Sequence, residues 1–130
     1  MREKKAFKFY SKLAVSESNP EVRSGRAPRL KLKSLNTYIF NDAFRKLEVK
    51  KNLTILSIGV GCGELARYWL DKASILNLSM TMIDFPSVLD KIQKDNQDIT
   101  FNNVDFIPGI FPNQTQELLK GRLFDRIEAY

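Results

Sequence analysis

Residues 55–69 read ILSIGVGCGELARYW, and this stretch decides the fold. Its first residues belong to the segment LTILSI, and an unbroken run of β-branched and apolar residues is typical of a strand buried on both faces. Three glycines follow at alternate positions, Gly59, Gly61 and Gly63, and helical spacing of apolar residues starts at Leu65. Glycine lets a ligand come close to the main chain. The stretch therefore predicts a strand, a bare turn that contacts a ligand, and a helix.

The rest of the chain after residue 52 continues this alternation. Apolar and β-branched runs predict further strands over 79–84, 104–107 and 123–129. Segments with helical periodicity lie between them, over 65–76, 86–94 and 113–119. Alternating strands and helices are the signature of a parallel sheet with right-handed crossovers. We therefore predict an α/β fold with a Rossmann-like, mostly parallel sheet, whose ligand binds beyond the carboxyl ends of the strands.

The first 51 residues differ from the rest in charge. They hold 14 Lys and Arg against 5 Asp and Glu, whereas residues 52–130 hold 7 against 10, so the net charge of +6 comes from the N-terminal part. Helical spacing predicts two helices there, one within 6–14 and one from near Pro28 to Leu47. We divide the chain into a basic helical section, 1–51, and an α/β domain, 52–130. The basic charge fits either a solvated helix face or attraction to an anionic partner.

The composition excludes several kinds of chemistry. The sequence contains no histidine and a single cysteine, Cys62. Without histidine, Ser-His-Asp and Cys-His catalysis and most zinc sites are excluded, and we predict no metal. One cysteine allows no intrachain disulfide, which favours a reducing compartment and hence a cytoplasmic location. No apolar stretch approaches the roughly 20 residues that a membrane span requires, so we predict no membrane partner.

The spacing of the glycines narrows the choice of ligand. A dinucleotide fingerprint, G-x-G-x-x-G, needs a glycine at position 64, where Glu64 would bring negative charge toward a pyrophosphate. A P-loop fails as well, because no G-K-[ST] follows. Asp84 ends the second predicted strand about 20 residues later, where a carboxylate can accept hydrogen bonds from both ribose hydroxyls. A ribose with a positive charge and no pyrophosphate describes S-adenosylmethionine, with a NAD-type dinucleotide as the alternative.

At these residues the sequence resembles the class I S-adenosylmethionine-dependent methyltransferases. ILSIGVGCGELARYW is similar to their first motif, a hydrophobic strand followed by G-x-G-x-G. MIDFPSVLDKIQ, residues 82–93, is similar to the second-strand end and following helix of small-molecule O-methyltransferases. VDFIPGIFPN and FDRIEAY, residues 104–113 and 124–130, resemble the third strand with its loop and the fourth strand. The resemblance covers residues 53–130 and implies methyl transfer to a small-molecule or glycan-like acceptor.

The resemblance also implies a set of residues that bind the cofactor. Asp84 would hold the ribose hydroxyls and Phe85 would pack on the adenine. The methionine and ribose would lie along Gly59, Val60, Gly61 and Gly63.

Two positions depart from the family pattern. Ser57 stands two residues before the first glycine, where the family often has an acid. Gly109-Ile110 stands where the family often has Gly-Asp, whose carboxylate binds the adenine amino group. Ile110 can still contact the cofactor through its main chain and an apolar side chain, but the side-chain hydrogen bond is missing.

The family's sheet has seven strands in the order 3-2-1-4-5-7-6, and the resemblance reaches only the fourth. The chain therefore resembles an incomplete methyltransferase domain, and no catalytic residue is assigned, because the family's acceptor and base residues often lie at or after that strand. An open apolar edge strand pairs readily with another chain, so we expect self-association through it. A non-catalytic methyltransferase-like protein is the alternative function.

An acceptor site is expected in the basic section. The loop VRSGRAPR, residues 22–29, carries Arg26 and Arg29, which could bind a carboxylate, a phosphate or an acidic sugar. An exposed basic loop without a ligand is the other interpretation. A nucleic-acid acceptor is disfavoured, because few aromatic residues are arranged for base stacking and the Asn/Asp-Pro-Pro-aromatic motif of many base-methylating enzymes is not present.

Overall fold

The structure, a computed structural model, describes residues 4, 5, 7–9, 12 and 33–129. The six described residues near the N-terminus are all helical. From residue 33 onward helices and strands alternate, and their bounds are α1 Lys33–Lys46, β1 Thr54–Ile58, α2 Glu64–Leu76, β2 Ser79–Asp84, α3 Pro86–Asp95, β3 Val104–Pro108, α4 Gln116–Leu119 and β4 Arg126–Ala129.

The four strands form one sheet in the order β3-β2-β1-β4, and all three neighbouring pairs are parallel. In the β1–β2 pair Thr54 lies opposite Ser79 and Ile58 opposite Ile83, so the two strands end level with each other. Because all pairs are parallel, the carboxyl ends of the strands meet at one end of the sheet. The prediction of a Rossmann-like α/β fold is confirmed.

The two faces of the sheet bury different side chains. Ile55, Met80 and Met82 point to the face covered by α1, α2 and α3, where they join the main core with the fully buried Trp69. Leu56, Ile83 and Ile107 point to the other face, where Leu119 of α4 and Phe124 pack against them. The alternation along each strand thus divides the core in two. Among the described residues, no helix combines the length and the apolar character needed to cross a bilayer.

Local sequence rules explain the end of α2 and the start of α3. The residue after α2, Asn77, has φ 52° and ψ 47°, a left-handed conformation that asparagine adopts more readily than most residues. α3 begins with Pro86, whose fixed φ suits the first helical position, and Phe85 before it is extended, with φ −65° and ψ 148°. The connection between β1 and α2 is residues 59–63, and Phe85 alone connects β2 to α3, so both connections are short and lie at the carboxyl end of the sheet.

Two elements are shorter than the sequence predicts. α4 starts at residue 116 rather than 113, because residues 111–115 form turns in which the Thr115 N–H donates to the Pro112 carbonyl over 3.1 Å. β4 starts at residue 126 rather than 123. Asp125 marks that start, because its N–H donates to the Thr54 carbonyl and its carboxylate accepts from the Thr54 N–H, both over 2.7 Å. Leu123 before it is 90% exposed.

Helix α1 and the two residues after it contact the α/β domain. Phe40 joins the main core. The guanidinium of Arg126, the first residue of β4, donates hydrogen bonds to the main-chain carbonyls of Leu47 and Glu48. The second half of the basic section therefore packs with the sheet, and the division between residues 51 and 52 stays a prediction.

Candidate functional site

The candidate site lies where β1, β2 and β3 end. The Gly59 N–H donates to the Ile83 carbonyl over 2.8 Å, which continues the β1–β2 ladder into the glycine turn. The Gly109 N–H donates to the Asp84 carbonyl over 3.1 Å, which holds the end of β3 beside the end of β2. Three segments that the sequence singles out are thereby brought side by side, as expected for a ligand site in a parallel sheet.

Two of the three glycines in the turn have a backbone conformation that favours glycine. Gly59 and Gly61 have φ of 72° and 73°, a region that residues with a Cβ atom rarely adopt. Gly63 has φ −104° and ψ −155°, which any residue can adopt, so its role as the residue before α2 does not require glycine. The side chain of Val60 is buried in the main core, so only its main chain can reach a ligand.

Asp84 is turned toward the glycine turn. One carboxylate oxygen, Oδ2, accepts the Gly61 N–H over 2.9 Å, and the other, Oδ1, accepts the Phe85 N–H over 2.8 Å. The residue that precedes α3 in the N-cap position is Phe85, so Asp84 is not the capping residue of that helix. Burial raises the pKa of the Asp84 carboxyl above its ordinary value of 3.8, and the two N–H donors act in the opposite direction. The carboxylate therefore joins the end of β2 to the turn after β1.

Phe85 has an aromatic partner that sequence patterns did not indicate. Its half-buried ring meets the ring of Phe7 edge to face, with the centroids 5.2 Å apart. Phe7 belongs to the helical residues near the N-terminus, so that segment borders the predicted adenine position. The helical spacing around residue 7 predicts a helix but carries no information about which distant residue it contacts.

The loop after β3 is held by its own side chains. The Ile110 N–H donates to the Gln114 side-chain oxygen over 2.8 Å. Gly109 has φ 145°, and a Cβ atom there would come within 3.1 to 3.3 Å of Gln114 and Thr115. Ile110 is half-buried, and it follows directly after the residue that is hydrogen-bonded to Asp84. Ile110, a predicted cofactor contact, thus follows a residue bonded to Asp84, the predicted ribose contact.

Two buried polar residues lie next to each other on β1 and β4. Ser57 and Glu128 are register partners, and they are 0% and 8% exposed. Ser57 departs from the family pattern in the sequence, but its pairing with Glu128 does not show there, because strand register is not visible in a single sequence. The predicted acceptor residues Arg26 and Arg29 lie outside the described residues.

Solved structures match the fold at low sequence identity. The precorrin-6y C5,15-methyltransferase of Geobacter metallireducens has a TM-score of 0.58 at 21% identity, over 79% of this chain and 51% of that one. Coclaurine N-methyltransferase bound to N-methylheliamine and SAH has a TM-score of 0.60 at 15% identity, over 92% and 33%. Phosphoethanolamine N-methyltransferase 1 of Haemonchus contortus, in complex with phosphoethanolamine and S-adenosylhomocysteine, has a TM-score of 0.56 at 19% identity, over 82% and 21%. No family model and no curated protein matches the sequence.

The chain has the class I methyltransferase fold. The observed strand order β3-β2-β1-β4 agrees with the order that the resemblance implies for the first four strands of that fold. The chain spans about half or less of the length of the solved methyltransferases it matches. The glycine turn and Asp84 occupy adjacent places at the carboxyl end of this methyltransferase-type sheet.

Proposed function

We propose that this chain binds S-adenosylmethionine and acts in methyl transfer to a small-molecule or glycan-like acceptor. The observation that carries the proposal is the Asp84 carboxylate, held 2.9 Å from the Gly61 N–H at the tip of a turn with positive φ at Gly59 and Gly61. A carboxylate and a bare main chain facing the same space can hold a ribose. Two solved structures that match this fold are complexes, one with S-adenosylhomocysteine and one with S-adenosylmethionine.

The residues present fit this cofactor. A carboxylate has about four acceptor positions, and Asp84 uses two of them for main-chain N–H groups, so two stay available for ribose hydroxyls. The ring of Phe85 and the side chain of Ile110 offer apolar surface for a base. When bound, S-adenosylmethionine supplies a methyl group on a positively charged sulfur. The chain's own contribution is to bind and orient the nucleoside so that this methyl group is exposed to an acceptor.

A dinucleotide is the competing ligand, and Glu64 argues against it. In dinucleotide-binding folds the pyrophosphate lies at the N-terminus of the helix after the first strand, where main-chain N–H groups favour negative charge. Here Glu64 is the first residue of that helix, α2. Its carboxylate would repel a pyrophosphate, but it is compatible with a cationic ligand.

The proposal is tested by isothermal titration calorimetry of the full chain with S-adenosylmethionine and, separately, with NAD. We expect saturable binding of S-adenosylmethionine and none of NAD at the same concentrations. Binding of NAD alone would establish the dinucleotide alternative. Binding of neither nucleotide would refute a cofactor role for the glycine turn.

The affinity for S-adenosylmethionine should depend on pH through Asp84. Ribose hydroxyls donate to the carboxylate form, so protonation of Asp84 weakens binding. Because burial raises the pKa of this carboxyl, the loss begins at a higher pH than the ordinary value of 3.8 would give. Below that pKa we expect the affinity to fall by up to about tenfold per pH unit. Calorimetry over a pH series checks this, and an affinity that stays constant down to pH 4 in the folded protein would contradict it.

The acceptor is proposed to carry an acidic group that binds Arg26 and Arg29. Support comes from the basic charge of residues 1–51 and from the three arginines in the loop 22–29. We place the reaction in the cytoplasm, since a single cysteine fits a reducing compartment. Methyl transfer from labelled S-adenosylmethionine to carboxylated and phosphorylated sugars tests the acceptor class. Cofactor binding without transfer to any acceptor would favour the non-catalytic alternative.

We also propose that the chain self-associates through β4. β4 pairs with β1 on one side, and no other described strand pairs with its second side. Ile127 on this strand is 58% exposed, and a strand edge with an apolar side chain readily pairs with another chain. We expect the sedimentation coefficient to rise with concentration in the wild type and much less in Ile127→Lys, since a charge on an edge strand opposes pairing. Ile75→Lys, at an isoleucine on α2 that is 64% exposed, serves as the control. A concentration-independent monomer would contradict the proposal.

A further inference from the structure

Ser57 and Glu128 form a buried polar pair beside the glycine turn. They lie opposite each other in the parallel β1–β4 register, so their side chains are on the same face of the sheet with main chains about 4.8 Å apart. Each is the residue before the last one in its strand. Gly59 follows two residues after Ser57. The pair therefore lies immediately beneath the place where the sheet meets the proposed cofactor.

The hydroxyl of Ser57 indicates that something further binds at this place. It is fully buried, and its Oγ has no hydrogen-bond partner within the part of the chain that the structure describes. Buried polar atoms are nearly always hydrogen-bonded to protein, water or ligand. A hydroxyl can both donate and accept, so its chemistry suits an ammonium group or a carboxylate equally. The charge of its neighbour decides between them.

Glu128 supplies a negative charge beside Ser57. A carboxylate that is 8% exposed is stabilised when donors or positive charge face it. S-adenosylmethionine carries two positive groups, the sulfonium and the α-ammonium, and only the ammonium can donate hydrogen bonds. The family often has an acid at the position of Ser57. In this chain the acid opposite that position is Glu128, on the adjacent strand.

We infer that Glu128, with Ser57, binds the α-ammonium group of the cofactor. This inference rests on the proposed function, because it assigns one end of the same ligand. The carboxylate accepts from the ammonium, and the Ser57 hydroxyl gains the partner that it lacks among the described residues. The negative charge is thereby supplied from β4 across the strand register.

The test compares two ligands, one with the amino-acid end of the cofactor and one without it. S-adenosylhomocysteine carries the ammonium group but no sulfonium, and 5′-methylthioadenosine has the same nucleoside without the amino acid. Calorimetry is performed with the wild type and Glu128→Gln. We expect Glu128→Gln to weaken the binding of S-adenosylhomocysteine by about 10- to 100-fold, the effect of losing a charged hydrogen bond, and to leave 5′-methylthioadenosine unchanged. Glu117→Gln, at an exposed glutamate on α4, is the control and should alter neither affinity.

Each outcome separates the inference from the proposed function. If Glu128→Gln weakened both ligands equally or changed neither, the role of Glu128 would be overturned, while binding of both ligands by the wild type would still support the proposed function. Binding of neither ligand by the wild type would overturn the proposed function and this inference with it. The double variant Ser57→Asp with Glu128→Gln returns the acid to β1. It should recover most of the lost affinity for S-adenosylhomocysteine, and a failure to recover it in a folded protein would count against the inference.

Discussion

Asp84→Asn should weaken the binding of S-adenosylmethionine by about 100-fold, the largest functional effect that we expect from any single substitution in the described residues. The carboxylate of Asp84 accepts one main-chain N–H at each oxygen. Asparagine has one oxygen and an NH₂ group, so either the Gly61 or the Phe85 N–H would face another donor. The amide also cannot accept from two ribose hydroxyls at once. The variant thus loses both the arrangement of the turn and the contact with the ligand.

Calorimetry with S-adenosylmethionine measures this effect, and a matched variant controls for the loss of a negative charge. Asp90→Asn removes an equivalent carboxylate from α3, where the Asp90 side chain is 63% exposed and paired with Lys94. Its affinity for S-adenosylmethionine should equal that of the wild type. If Asp84→Asn bound as tightly as Asp90→Asn, the ribose contact, and with it the proposed site, would be wrong.

Trp69→Ala should lower the free energy of unfolding by about 3 to 5 kcal/mol, a large part of the stability of a domain of this size. Trp69 lies on α2 and is 1% exposed. Its ring packs against Phe44 of α1, with centroids 5.8 Å apart, and against Tyr68 at 6.3 Å. Removal of the indole leaves a cavity between two helices and the sheet. The helices cannot close that cavity without moving from the strands.

Urea unfolding followed by far-ultraviolet circular dichroism measures the loss, since Trp69 is the only tryptophan and its fluorescence disappears in the variant. The control is Tyr38→Ala on α1, where the tyrosine is 68% exposed and the change should be within about 0.5 kcal/mol. A loss below about 1 kcal/mol for Trp69→Ala would mean that α2 does not pack on the sheet as described.

The sequence predicts much of this fold because its decisive signals are local. The bounds of β2 follow from a run of apolar residues between two polar turns, and the structure reproduces them, 79–84. The start of α3 follows from Pro86, which is favoured in the first position of a helix. The sequence predicts α4 and β4 to be longer than they are, because turn hydrogen bonds at Thr115 and a carboxylate at Asp125 decide where these elements begin.

In the candidate site, too, some features can be predicted from the sequence and others cannot. Asp84 and the glycines are recognisable from spacing alone, and the structure brings Asp84 and Gly61 into contact. The contact between Phe7 and Phe85 joins segments that are far apart in the chain, and the pairing of Ser57 with Glu128 depends on register. These two contacts cannot be predicted from periodicity. Helical or strand spacing indicates which face of its own element a residue occupies, but not which residue of another element it contacts.

The hydrogen bonds from Arg126 to the carbonyls of Leu47 and Glu48 join parts of the chain that are 79 and 78 residues apart. During synthesis, residues 47 and 48 leave the ribosome long before residue 126 does. The end of α1 therefore acquires these partners only when the last described strand has been translated and has entered the sheet. Until that moment the edge of β1 that β4 covers has no partner among the described strands, and an unpaired strand edge is prone to aggregation.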